Sequence, residues 1–390
     1  MRAPPIARYA AAVLLVIAGV YASAQAITTG ALNAYPLAAR SIGMSSNAVG
    51  QSAMAQIALF EGQPADAIEP AGRSLAIRPL DPTTLRSLAV AHLETGNNEA
   101  AARTLTLASQ LGWRDMATQM FLLEVTIRSA DASAAAIRID AIARQRPQLT
   151  QTIGQMRRVL LLPGGPEAMA GRLAGSPSWR TMYLQATDGL PAPVYRPWMT
   201  MLEALARNGA PAQAREYAAF ERELLARGEV ALAIEASRKV GALRATAVDG
   251  FGVIAQGEQT SPFTWSVEPG REASVSQAAR GTLAASVDGQ TAGELVRRVF
   301  PLAAGPHRLT MAVSAVSDEA GRALGWTVTC LPSGNVLDVV ATSRDSATGR
   351  FDEVNFVMPA GCSAARIALA SMAGQVRDDY ELTLSDFRLD

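Results

Sequence analysis

Few side chains in this sequence could carry chemistry. Cys330, Cys362, His92 and His307 are its only cysteines and histidines. A metal cage needs several such donors at close spacing, and four scattered ones do not make it. The two histidines are about 200 residues apart, so no Ser-His-Asp set can be argued. Neither cysteine has a histidine or cation beside it to favour the thiolate. The two read instead as a disulfide, if the domain lies outside the cytosol. Cys330 ends one alternating run and Cys362 begins another, closing a loop of about 30 residues. Chain entropy assigns such a loop about 3–4 kcal/mol. A pair of buried free thiols is the alternative. Gly164-Gly165 lacks the Lys-Ser/Thr of a phosphate loop and reads as a helix breaker. We predict no catalytic, cofactor-binding or metal-ligating residue, and no cofactor.

Binding groups are also sparse. Trp265 and Trp326 could stack on a sugar ring, although apolar same-face neighbours point to the core. Arg144, Arg146, Arg157 and Arg158 form the densest basic cluster in the sequence, a candidate surface for an acidic partner or a solvated face. Asp352-Glu353 and Asp378-Asp379 could offer oxygens to calcium, but paired acids at strand edges are usually solvated.

The elements that would hold these groups change character along the chain. Residues 48–149 read as three 34-residue copies of a helix–turn–helix unit. Gly62 recurs as Gly96, Ala55 as Ala89, Ala67 as Ala101, and Pro79 as Pro147 two periods on. A fixed period of this kind marks a solenoid of helical hairpins, because one hairpin cannot bury its apolar face alone. Asn47 can cap the first helix. Ala130 stands where the third turn glycine belongs. Beyond Leu149 the period fades but helices continue to Val240, with Leu190–Pro197 expected as a proline-rich loop. After Arg244 the apolar spacing becomes two. Phe263, Trp265 and Val267 alternate, as do Leu309, Met311, Val313 and Ala315, then Trp326, Val328 and Cys330, then Tyr380, Leu382 and Leu384. Period two between turn signals means half-buried strands, about ten of them, in an antiparallel sandwich.

At the N-terminus, Arg2 and Arg8 precede an apolar run from Tyr9 to Ala24. Basic residues on the leading side send the rest of the chain outward. We read residues 9–30 as an inner-membrane anchor. The alternative is a signal peptide cleaved near Ala24, after Ala22-Ser23-Ala24. Either way the body faces the periplasm. The domain expectation is 1–30 leader, 45–244 helical repeats and 250–390 β-sandwich. Net charge is zero, but residues 1–248 carry 24 basic and 18 acidic groups and residues 249–390 carry 11 and 17. The acidic second part argues against nucleic acid and other anionic polymers there.

The Gly62, Ala55, Ala67 and Pro79 positions resemble the tetratricopeptide repeat over about 100 residues. Ala58, Ala71 and His92 stand where that repeat carries bulky aromatics. The segments Trp113-Arg114-Asp115, Asp140–Pro147 and Pro177–Leu184 are similar to exported tetratricopeptide-like proteins of alphaproteobacteria. Those proteins pair a leader and helical array with a β-sandwich tail, here jelly-roll-like, and some accompany exopolysaccharide production. The resemblance implies a non-catalytic periplasmic scaffold or adaptor. Its groove would bind a protein partner in the envelope. The alternative is a carbohydrate-binding protein acting through the sandwich on a glycan.

Overall fold

The structure, a computed structural model, describes residues 47–111, 114–146, 150–240, 243, 250–251, 255–256, 260–267, 273–279, 281–288, 293–315, 324–341, 350–371 and 379–390. Twelve helices come first and eleven strands follow among these residues. The expected leader at 1–30, the 9–30 anchor and the site near Ala24 lie outside the described residues, as does the linker expected from sequence at Thr246–Gly250 apart from Gly250 itself. Among the described residues, no helix is long and apolar enough to cross a membrane.

The chain divides into two compact units, residues 1–146 and 147–390. The first is three helical hairpins: α1 (Ala48–Phe60) with α2 (Pro64–Ile77), α3 (Pro82–Glu94) with α4 (Asn98–Leu111), and α5 (Met116–Arg128) with α6 (Ala132–Gln145). Each pair begins 34 residues after the last, and the reason is local. Asn47, Asp81 and Asp115 hold the N-cap positions of α1, α3 and α5. The Asn47 oxygen accepts from Gly50 N at 2.9 Å and Asp115 Oδ2 from Thr118 N at 3.1 Å. Such a side chain satisfies an amide that the helix itself leaves open. At the far ends the chain turns through a left-handed residue, Gly62, Gly96 or Ala130, at φ 71°, 79° and 55°. Each turn closes with the same pair of bonds. Gln63 N donates to Ala58 O, Asn97 N to His92 O and Asp131 N to Thr126 O, at 2.8, 2.8 and 3.0 Å, while Gly62 N, Gly96 N and Ala130 N donate to the carbonyls of Leu59, Leu93 and Ile127, each at 3.1 Å. This is a Schellman closure three times over. The core is mostly alanine, with Ala55, Ala67, Ala71, Ala89 and Ala101 fully buried. Small residues let helix axes approach closely, which the 34-residue stacking requires.

Ala130 pays a steric cost that Gly62 and Gly96 avoid, since its Cβ crowds the carbonyl in the left-handed region. Ala130→Gly is expected to stabilise the first unit by about 0.5–1 kcal/mol after the extra entropy of glycine is deducted. Urea titration followed by far-UV circular dichroism reads it. A midpoint that stays or falls would mean that the turn is not strained.

The second unit joins helices to two sheets. Its helices are α7 (Thr150–Leu160), α8 (Gly165–Ala174), α9 (Arg180–Gln185), α10 (Ala192–Arg207), α11 (Ala214–Ala226) and α12 (Val230–Val240). The expected loop at Leu190–Pro197 is corrected: α10 starts at Ala192 and contains Pro197. Pro191 and Pro193 sit at the start, where no amide is needed, and Pro197 forfeits a single bond in the next turn. Here the core is aromatic. Trp179, Tyr183, Trp198 and Phe220 are fully buried, and the rings of Tyr183 and Trp198 are 4.9 Å apart.

The strands are β1 (Ala255–Gln256), β2 (Ser266–Val267), β3 (Ala273–Ala279), β4 (Thr282–Asp288), β5 (Gly293–Pro301), β6 (Gly305–Ala315), β7 (Leu324–Leu331), β8 (Val336–Ala341), β9 (Arg350–Met358), β10 (Ala364–Ser371) and β11 (Asp379–Leu389). They form a six-stranded sheet, β1-β2-β5-β10-β7-β8, and a five-stranded sheet, β3-β4-β11-β6-β9. Pairing is antiparallel apart from the short β1–β2 ladder. Phe251, Trp265, Phe300, Trp326 and Phe387 fill the middle, with Trp265 and Phe387 edge-on at 4.9 Å. Cys330 and Cys362 are bonded across a separation of 32 residues, Cα atoms 5.6 Å apart. The bridge ties the end of β7 to the turn before β10.

Candidate functional site

A cleft in the second unit gathers more charge than any position-by-position reading suggests. Its floor is the outer face of the six-stranded sheet. Alternation decides which side chains lie there. Val296, Phe300, Ile367 and Leu369 belong to the sandwich core. Arg297, Val299 and Arg366 are the intervening residues on the same strands, and Val299 pairs with Arg366 across the β5–β10 ladder. Arg222 on α11 borders it with Leu225 and Ala226, and Asp188 borders it too. The cavity is about 580 Å³.

The arginines are held in different ways. Arg222 Nη1 donates to the Thr260 carbonyl at 3.0 Å. Arg366 Nη2 lies 2.9 Å from Glu294 Oε1, and Arg297 Nη1 lies 3.4 Å from Glu294 Oε2. One carboxylate is therefore shared by two guanidinium groups. Arg298 borders the cleft too, but its guanidinium carbon stands 4.5 Å above the Phe300 ring, and the residue is 4% exposed. Burial pulls this guanidinium down to about 10. Among the described residues its Nε has no hydrogen-bond partner. The ring face offsets part of the cost of burying the charge.

Two further buried polar groups adjoin this region. Glu221 on α11 accepts from the Ser261 hydroxyl. Burial pushes its carboxyl up to about 7, against the pull of the Ser261 and Ser237 hydroxyls and Arg222. Arg180 and Glu216 form a forked pair, Nε–Oε1 3.1 Å and Nη2–Oε2 2.9 Å. Arg180 also donates to the carbonyls of Leu173, Ala210 and Pro211. Burial raises the Glu216 carboxyl, but bonds from Arg180, Gln213 N and Thr181 outweigh it, so the pKa is lowered. Every nitrogen of that guanidinium is committed to the fold.

The groups singled out from sequence fall as follows. Trp265 and Trp326 are 1% and 0% exposed, so neither offers a ring face to a sugar, which corrects the stacking expectation. Their strands alternate, and both lie on the inward side. Arg144 and Arg146 belong to the first unit, where Arg144 pairs with Asp140 at 2.9 Å. Arg157 and Arg158 belong to the second. Arg157 Nη2 donates to the Ala186 carbonyl at 3.0 Å, and Arg158 Nη1 to Gln155 Oε1 at 2.8 Å. Three of the four arginines thus have helix-local or loop-tethering duties. His307 lies with Nε2 2.9 Å from the Ala303 carbonyl and Nδ1 3.2 Å from that of Asp390. Glu353 pairs with Arg308 at 2.7 Å, while Asp378 lies outside the described residues. Among the described residues, no group of three or more His, Cys, Asp or Glu is placed to hold a metal.

Sequence reasoning missed Arg222, Arg297 and Arg366. The alternation of β5 could have placed Arg297 outward, but nothing local pairs it with a helix 75 residues earlier.

No protein-family model matches this chain, and no curated protein does. Two solved structures are similar in part. One is of accessory secretory protein 1, 2 and 3 in Streptococcus pneumoniae, 13% identical, with a TM-score of 0.23, covering 30% of this chain and 84% of that one. The other, described as "CBM4 structure and function", is 11% identical, with a TM-score of 0.25, covering 33% and 87%. Neither likeness carries an argument about function, and the helix-then-sandwich architecture rests on the elements described above.

Proposed function

We propose that this chain is a non-catalytic adaptor of the cell envelope whose helical repeats hold a protein partner. In this reading the first unit is tetratricopeptide-like, the sandwich is jelly-roll-like, and residues 9–30 anchor the chain in the inner membrane with its body in the periplasm. The Cys330–Cys362 bridge supports the compartment, because such bonds persist where the surroundings are oxidising.

One observation carries the partner-binding role. Leu59, Leu93 and Ile127 recur 34 residues apart, at one position of the first helix in each hairpin, and each is at least partly exposed. Phe60 beside them is 87% exposed. Because α1 packs on α3 and α3 on α5, the positions form an apolar row across the array. A row of apolar side chains at repeat spacing suits an apolar segment of a partner better than it suits solvent. An exopolysaccharide or envelope assembly is the setting that the sequence resemblance implies. The glycan-binding alternative has lost its stacking tryptophans to the core.

The test is cross-linked pull-down from membranes with the full chain and with Phe60→Ser/Leu93→Ser. A defined partner recovered by the parent chain and lost with the variant supports the reading. Recovery that is unchanged overturns it.

A further inference from the structure

The arginine cleft of the second unit carries an inference separate from the adaptor reading. Arg222, Arg297 and Arg366 come from a helix and two strands to border one cavity, and Asp188 is the single acid among its described lining residues. The fold already shows what Arg297 and Arg366 hold. The Glu294 carboxylate lies between them, close to Arg366 but 3.4 Å from Arg297, beyond good hydrogen-bond distance. A guanidinium fork matches a carboxylate through two parallel bonds. Glu294 satisfies that geometry only in part. The rest of the lining is mixed: Leu225, Val267 and Leu331 give it an aliphatic part, Thr260, Ser266 and the buried Arg298 a polar one, and among the described residues no aromatic ring borders it. A neutral sugar would find no platform there. The volume suits a small ligand, within the roughly 300–1,000 Å³ usual for such sites.

We propose that this cleft binds a small aliphatic polycarboxylate. One ligand carboxylate sits between Arg297 and Arg366, competing with Glu294. A second meets Arg222, and the carbon body lies against the aliphatic part of the lining. Glu294 then acts as an internal stand-in that lowers affinity and rejects weakly charged compounds.

Isothermal titration of the full chain with citrate tests this, with inorganic phosphate as the second arm. Saturable citrate binding is expected. Arg297→Gln and Arg366→Gln should each weaken it about tenfold, the loss of one charge-assisted bond. Glu294→Gln should tighten it several-fold. Arg366→Lys keeps the charge but not the fork, so it should still fall below the parent; it also serves if the glutamine variant fails to fold. Phosphate should not displace citrate at equal concentration. The proposal fails if citrate does not bind at millimolar concentration, or if phosphate binds in its place. It also fails if the arginine variants bind like the parent, or if Glu294→Gln weakens binding. Partner capture by the repeats is unaffected by these variants, so the two readings stand or fall separately.

Discussion

Replacing Arg180 with methionine is expected to cost the second unit about 3–5 kcal/mol, because it strands a buried carboxylate. Arg180 and Glu216 are 7% and 1% exposed, so solvent screens the pair little. The guanidinium is also the donor for three backbone carbonyls, at Leu173, Ala210 and Pro211. Leu173 is in the last turn of α8, and Ala210 and Pro211 lie in the loop that enters α11. Glu216 in turn accepts from the Gln213 amide at 2.9 Å and so caps α11, the helix that carries Arg222. Losing the pair should therefore loosen a cleft wall as well as the helix junction. Four of the five tryptophans, Trp179, Trp198, Trp265 and Trp326, lie in this unit, so urea unfolding followed by tryptophan fluorescence reports it. The double variant Arg180→Met/Glu216→Gln should lose less than the two single losses added together, since neither charge is left alone. A single-variant loss under about 1 kcal/mol would mean that water reaches the site and that the pair is worth no more than a surface bridge.

That pair and the cleft mark where the sequence stops being readable. The first unit was legible because its determinants are short-range. Asn47, Asp81 and Asp115 stand at the N-cap positions of helices that begin at the next residue, and Gly62, Gly96 and Ala130 end the paired helices at fixed phase. The buried places of Trp265 and Trp326 also follow from alternation along single runs. Arg180 finds Glu216 across 36 residues, and Arg222 shares a cavity with Arg297 and Arg366 from strands much later in the chain. No periodicity links such positions; α11 reaches the strands through the bonds of Arg222 and Glu221 to Thr260 and Ser261 ahead of β2. Net charge does not report such a cleft, for the same reason. The acidic balance of residues 249–390 is a sum over the domain, whereas an anion meets the few groups that one cleft presents. The proline-rich start of α10 was misread because proline breaks helices in their interiors but favours their first turn.

The same helix that carries Arg222 gives the second large effect, which depends on pH. Glu221 is 1% exposed, and burial lifts its carboxyl from the usual 4.5 to about 7. The native state therefore keeps a proton that the unfolded chain releases at lower pH. Stability tied to this group is whole below about pH 4.5 and is lost as pH rises through about 7. The loss is on the order of 3 kcal/mol, from about 1.4 kcal/mol for each pKa unit. Glu221→Gln keeps the shape and a hydrogen-bonding end without the charge. Its stability relative to the parent should climb between pH 5 and 8 and then level off. Glu216 moves the opposite way: its lowered pKa gives stability that is present above the ordinary carboxylate range and lost on acidification, so it does not intrude on this window. Taking the difference between variant and parent at each pH also cancels every contribution that both chains share. A difference that stays flat from pH 5 to 8 would show Glu221 ionised in the folded state, its charge met by Arg222 and the Ser261 and Ser237 hydroxyls. The buried carboxyl would then be a fixed anion behind the cleft wall, and the positive field offered to a polycarboxylate would be weaker by that charge.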